Sequence, residues 1–171
     1  AKMRCGGIKL TCTIQKTNSL EVDDKEKLGK YLCDPDITFI QEHLAYQQII
    51  RLYYTHHVSI QVSKHEGLGL GFYEALSTGT PILTLNTAPH NELVMDHVNG
   101  YIIPCHFKDI HENPQSFIKA AFFDPRDLAA KIIEINENID DLDQLCQNAI
   151  TDHNNRLHAQ YFIRRFIGSL E

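Results

Sequence analysis

Two glutamates and three glycines fall between positions 66 and 74 of this chain, inside the stretch SKHEGLGLGFYEALSTGTPIL that runs from Ser63 to Leu83. Gly67, Gly69 and Gly71 occupy alternate positions, and Glu66 and Glu74 bracket them. Glycine permits positive φ and close backbone approach, so a loop of this kind at a helix start can present free N–H groups to an anion, with the helix dipole adding to the attraction. A carboxylate beside an anion is unfavourable unless it binds another part of the same ligand. The spacing therefore asks for a ligand that is anionic in the middle and rich in hydroxyls at its ends, since carboxylates accept strongly from vicinal diols.

The plainest alternative is a tight turn between a strand and a closely packed helix, which would explain the glycines alone. The two familiar nucleotide loops do not fit. A G-x-G-x-x-G fingerprint starting at Gly67 needs glycine where Phe72 stands, and one starting at Gly69 needs it at Glu74. A P-loop needs Gly-Lys-Ser/Thr, which does not follow. A helix N-terminus at the C-terminal edge of a parallel sheet survives both exclusions. A sugar nucleotide has the required layout, with a ribose diol on one side of its diphosphate and hexose hydroxyls on the other.

The elements that must hold this loop read as alternating strands and helices, an α/β pattern with a mostly parallel sheet. Strands are expected at IKLTCTI (Ile8 to Ile14), ITFI (Ile37 to Ile40), VSIQVS (Val58 to Ser63) and PILTL. DDKEKLGKYLCD reads as an exposed amphipathic helix. AYQQIIRLYYTH carries the stripe Tyr46, Ile49, Ile50, Tyr53 and Tyr54 of a helix lying on a core. The spacing predicts a helix from about Leu70 to Thr78, stopped by Gly79 and Pro81. HNELVMDHV reads as a short helix and NGYIIP as a turn with an extended segment. DPRDLAAKIIEIN reads as a helix with Asp124 as N-cap and Pro125 at its first position. One or two more helices close the chain.

With 171 residues, 43% hydrophobic and 22% charged, the chain is expected to form one domain, 1–171, with a real core. A net charge of -6 gives no global attraction to nucleic acid or an anionic membrane, so any anion must be bound locally and no nucleic-acid partner is expected. Five cysteines without a C-x-x-C pair suit a reduced, cytoplasmic protein. Cys105, His106 and His111 match no zinc template and read as a surface loop, so no metal site is expected. No apolar run reaches the roughly 20 residues that span a bilayer, so no transmembrane segment is expected.

The Glu66-x7-Glu74 spacing, set in HEGLGLGFYEALSTGTPIL, resembles the E-x7-E signature of retaining glycosyltransferases of family 4. The likeness extends upstream through ITFIQEHLAYQQIIRLYYTHHVSIQVSKHEG and downstream through NELVMDHVNGYIIP and DPRDLAAKII. It covers the chain from about Ile8 to its end and fits the family's C-terminal, nucleotide-sugar-binding domain. The implied architecture is a Rossmann-like parallel sheet flanked by helices, one half of a GT-B glycosyltransferase. The resemblance implies a retaining, metal-independent transfer from a nucleoside diphosphate sugar, with no cofactor beyond that donor substrate.

As the resemblance implies, Glu66 is the catalytic-site residue that contacts the donor sugar. The backbone of Gly67, Leu68, Gly69 and Leu70 takes the distal phosphate and sugar, Glu74 holds the ribose hydroxyls, and Ile40 and Gln41 lie near the nucleobase. The chain departs from the family at Gln41, where a glycine is usual, and in lacking a counterpart of the phosphate-binding Arg and Lys. Lys2 and Arg4 lie too close to Ile8 for that role, and Lys64 is the nearest cation to the loop. An N-terminal acceptor domain, in cis or in trans, is expected to complete the cleft for a glycan, lipid or protein acceptor. The isolated chain is expected to fold without transferring sugar. A non-catalytic nucleotide-sugar-binding module and an epimerase or phosphorylase of GT-B architecture are the rival readings.

Overall fold

The computed structural model describes residues 7–13, 29, 31, 33–109 and 119–168. It forms two compact units, Ala1–Gln48 and Ile49–Glu171.

In the first unit, β1 (Leu10–Thr13) and β2 (Ile37–Ile40) pair in parallel, with Leu10 opposite Ile37 and Thr13 opposite Ile40. The Asp34 carboxylate accepts from the Asp36 N–H at 3.0 Å, an Asx turn that leads the chain into β2. The expected helix at DDKEKLGKYLCD falls largely outside the described residues.

Helix α1 (Tyr46–Thr55) straddles the boundary, and Gln48 caps it by accepting from the Ala45 N–H at 2.7 Å. Its apolar stripe is narrower than its spacing predicts. Ile49, Ile50 and Tyr53 are half-buried, whereas Tyr46 and Tyr54 are 61% and 68% exposed at the stripe's edge.

The second unit is built on three parallel strands in the order β3 (Ser59–Gln61), β4 (Ile82–Leu85), β5 (Gly100–Ile103). All four residues of β4 are buried, as a central strand covered on both faces requires. The strand's two-residue period divides them. Ile82 points to a core with Phe72, Ala75 and Leu76 of α2 (Leu70–Ser77), Leu93 of α3 (His90–Leu93), and Ala149 of α5 (Leu142–Asp152). Leu83 and Leu85 point to a second core with Tyr101, Ile103, Ile135 of α4 (Pro125–Glu137), Leu142 and Leu145. Each such fully buried Leu, Ile or Phe is worth about 1.5–3 kcal/mol.

Helix α4 starts as its sequence predicts: Pro125 opens it, and the Asp124 carboxylate accepts from the Arg126 N–H at 2.8 Å. HNELVMDHV is helical only over His90–Leu93, because the chain turns extended at Val94. The segment after Pro104 departs from the sequence reading. His106–Asp109 is a strand, β6, paired antiparallel with β7 (Lys119–Phe122), and the Ala121 N–H donates to the Lys64 carbonyl at 2.8 Å. His111 lies outside the described residues. After α5 the chain makes a π-helical turn, His153–Leu157, before α6 (Ala159–Gly168). Among the described residues no helix is long and apolar enough to cross a membrane.

Candidate functional site

The loop between β3 and α2 leaves the sheet at the carboxyl end of its parallel strands, where open α/β sheets bind ligands. Gly69 closes it in the left-handed region, at φ 65° and ψ 47°, and a Cβ there would lie 2.9 Å from the Phe72 ring. Glycine is therefore required by both conformation and packing. Gly69 offers no side chain to cap α2, so apart from the Phe72 N–H, which donates to the Gly69 carbonyl at 2.9 Å, the first-turn N–H groups of the helix keep their capacity to bind an anion. A Cβ on Gly67, by contrast, would meet nothing within 4 Å. The side chains of Leu68 and Leu70 stand 75% and 66% exposed on either side of Gly69.

Glu66 is half-buried at the start of this loop, and its Oε2 accepts from the Ser63 hydroxyl at 3.2 Å. Ser63 Oγ is in turn 3.3 Å from Nε2 of His90, and His90 Nδ1 is 2.9 Å from Thr84 Oγ1. His90 is fully buried at the start of α3, with its ring centroid 4.9 Å from that of Phe72. Burial pushes its pKa down, and the Glu66 charge partly opposes that shift.

Glu74 sits one turn into α2, also half-buried, and its carboxylate has no hydrogen-bonding or ionic partner among the described residues. Desolvation pushes its pKa up. The neighbouring Tyr53 phenol is pushed up to about 12, first by burial and then by the Glu74 charge. A half-buried carboxylate left without a donor is costly unless something else supplies one.

Lys64 is exposed next to the loop, with Nζ 5.0 Å from the Phe122 ring centroid, and Lys108 Nζ is 5.2 Å from the same ring. These cations rest on an aromatic face, and neither is paired to a carboxylate among the described residues. The structure thus brings Glu66, Gly67, Leu68, Gly69, Leu70 and Glu74 into one strand–loop–helix unit. Ile40 ends β2 half-buried and Gln41 follows it exposed, both in the first unit. His90 and Thr84 were not legible as site residues from spacing. The one available signal was a histidine in the turn just beyond a buried strand of the same sheet. Among the described residues no group of three or more His, Cys, Asp or Glu side chains is placed to hold a metal ion.

The family model described as glycosyl transferases group 1 matches residues 22–138. A curated relative from Streptococcus agalactiae, the GtfA subunit of a UDP-N-acetylglucosamine–peptide N-acetylglucosaminyltransferase, is 25% identical over 118 residues, 65% of this chain and 23% of its own length. Among solved structures, Anabaena HepE in complex with UDP superposes with a TM-score of 0.72 at 17% identity, covering 98% of this chain and 42% of HepE. The pneumococcal O-GlcNAc transferase GtfA in complex with UDP and GlcNAc superposes with a TM-score of 0.60 at 19% identity, covering 85% of this chain and 26% of GtfA. The chain therefore spans about a quarter of the curated relative it matches. Its α/β architecture is that of a GT-B glycosyltransferase domain, as the resemblance carried by Glu66, Glu74 and their flanking segments implies.

Proposed function

The chain belongs to the glycosyl transferases of group 1, and from that membership we propose that its β3–loop–α2 unit binds a nucleoside diphosphate sugar for transfer to an acceptor. The observation that carries this reading is the pairing of an uncapped helix start, closed by left-handed Gly69, with the carboxylate of Glu74 one turn away, which has no hydrogen-bonding or ionic partner among the described residues. The diphosphate lies against the N–H groups from Gly67 to Leu70. Glu74 accepts from the ribose diol, and Glu66 from a hydroxyl of the donor sugar. The UDP complexes of HepE and GtfA support a uridine donor.

Transfer breaks the bond between the anomeric carbon and the diphosphate oxygen, with the electron pair leaving on the diphosphate. A bond from the acceptor hydroxyl to that carbon forms, and the hydroxyl proton goes to the leaving diphosphate. The chain's own contribution is to position the donor and stabilise the departing charge. The configuration is retained, no metal takes part, and a second, acceptor-binding domain in cis or in trans completes the cleft. Alone, the chain binds the donor without transferring it.

Titrating the isotopically labelled chain with UDP, GDP, UDP-glucose and UDP-N-acetylglucosamine tests the reading by amide chemical shifts. Binding is expected to move Gly67 to Leu70 and Glu74. Shifts confined to α5 and α6 would overturn the assignment.

A further inference from the structure

Among the described residues every buried side-chain nitrogen and oxygen has a partner within hydrogen-bonding distance, yet the protons around Ser63 do not suffice for all the bonds its neighbours call for. The count begins at Thr84, whose Oγ1 lies 2.6 Å from the Gln61 carbonyl oxygen. A carbonyl only accepts, so the single Thr84 hydroxyl proton points there. Thr84 Oγ1 must then accept from His90 Nδ1, 2.9 Å away, and Nδ1 carries a hydrogen. In a neutral imidazole this leaves Nε2 bare, an acceptor whose partner at 3.3 Å is the Ser63 hydroxyl. Glu66 Oε2 stands 3.2 Å from the same hydroxyl. One proton faces two acceptors.

Only two states close the count. In one, His90 is an imidazolium that donates to Ser63, which donates to the Glu66 carboxylate. In the other, Glu66 is a carboxylic acid that donates to Ser63, which donates to neutral His90. Both hold one proton more than the state with neutral His90 and ionised Glu66. The extra proton belongs to the pair, and Ser63 carries it between them.

We propose that His90 is a positioning residue for Glu66, its ring deciding through the Ser63 hydroxyl whether Glu66 Oε2 is committed to the protein or open to a hydroxyl of the donor sugar. The half of this statement that concerns the sugar rests on the function proposed above. In the proton-poor state the Ser63 proton turns to His90, and Oε2 is free to accept from the ligand. In the proton-rich state Oε2 is held by Ser63. His90 is the buried histidine among the described residues, and its burial favours the neutral ring and thus the open state near neutral pH. The groups that face it are Thr84 from β4, Ser63 and Glu66 from the loop after β3, and the Phe72 ring from α2. Glu66 is the ionisable one whose charge acts on it, and Glu92 on its own helix is exposed.

The relay is tested on the 171-residue chain without ligand, by NMR of the histidine ring nitrogens and the glutamate side-chain carboxyl carbons across pH. At neutral pH the expected His90 ring has hydrogen on Nδ1 and a bare Nε2. On acidification the His90 ring nitrogens and the Glu66 carboxyl carbon respond together to the first proton the pair takes up, and Ser63→Ala uncouples the two signals. A hydrogen on Nε2 at neutral pH, or a Glu66 carboxyl signal indifferent to Ser63→Ala, would overturn the proposal. A second arm measures the ratio of UDP to UDP-glucose dissociation constants. His90→Phe is expected to lower UDP-glucose affinity more than UDP affinity, changing the ratio on the order of tenfold, as the loss of one hydrogen bond to a charged group implies. His90→Gln, whose side-chain oxygen can accept from Ser63, is expected to restore it. A relay present in the ligand-free spectra with no UDP-glucose binding would refute the nucleotide-sugar reading and leave the coupling of His90 to Glu66 standing.

Discussion

Gly71 presents its bare Cα to the side chain of Gln61: a Cβ there would lie 3.0 Å from Gln61 Oε1 and 3.3 Å from the Tyr53 hydroxyl, and Gln61 Nε2 donates to the Gly71 carbonyl at 2.9 Å. The third glycine of the loop thus lets α2 pack on β3 and has no need of a ligand to explain it. Gly69 answers to a backbone requirement, at φ 65°. Gly67 answers to neither, since the space above it is open.

This division gives a first expectation. Gly69→Ala forces a left-handed residue with a Cβ against Phe72, and is expected to cost about 1–3 kcal/mol of stability. Gly67→Ala is expected to leave stability unchanged to within about 0.5 kcal/mol, yet to weaken UDP binding if the diphosphate approaches that backbone. Equal effects of Gly67→Ala and Gly69→Ala on stability would remove the distinction.

The two carboxylates separate in the same way. Glu74→Ala is expected to weaken both UDP and UDP-sugar, since it removes the acceptor proposed for the shared ribose. Glu66→Ala is expected to weaken the UDP-sugar alone. Each lost charged hydrogen bond is worth about 1.5–3 kcal/mol. Calorimetric titrations that show equal losses of free UDP affinity in both variants would refute the assignment of sugar to Glu66.

Glu74 also bears on stability. Desolvation raises its folded pKa above the unfolded value, so the ionised carboxylate is disfavoured by folding. The sign follows: this group favours the folded state below its unfolded pKa, and that advantage is lost as pH rises through its folded pKa. Glu74→Gln is therefore expected to raise the denaturant midpoint at pH 7 relative to the parent, and the difference is expected to vanish in acid. A lower midpoint for Glu74→Gln at pH 7 would show that the carboxylate has a protein partner after all. A carboxylate that disfavours folding thus stands where the proposed ribose diol would supply it with donors.

Much of this is legible in the sequence alone. The strand–loop–helix unit around Gly69, the Asp124 cap and Pro125 start of α4, and the strands at Ile37 and Ile82 follow from local rules of capping, period and glycine placement. The β6–β7 pair is not, because all four residues of β6 are exposed and carry no buried alternation, and the pairing joins segments on either side of Ile110 to Ile118. His90 was hidden for a related reason. Its partners Ser63 and Thr84 lie 27 and 6 positions away, and only the parallel register that puts Gln61 opposite Thr84 brings them together. Short-range periodicity cannot report a contact that a sheet creates.

The same logic applies to the turn that carries His90. The Arg156 guanidinium donates to both Asp152 carboxylate oxygens at 2.7 and 2.8 Å, and to the carbonyls of Glu92 and Leu93 at 2.7 and 2.8 Å. It thereby caps the C-terminus of α3, which a cation also favours electrostatically. Fully buried Asn99 completes the knot: its amide donates to Asp152 Oδ2 at 2.8 Å and its oxygen accepts from the Met95 N–H at 2.8 Å. Asp152 is 11% exposed, so Arg156→Ala removes its ionic partner and leaves Asn99 as the remaining donor to Asp152 and to the Leu93 carbonyl, an expected loss of about 1.5–3 kcal/mol. Arg156→Lys should recover only part of it, because an ammonium cannot reproduce the fork that reaches Asp152 and α3 together. Denaturant midpoints measure that loss, and the His90 ring resonances report whether α3 has loosened. A stable Arg156→Ala variant with an unshifted His90 would mean that α3 is held by its apolar contacts through Leu93 and Val94, and that the polar knot merely decorates them.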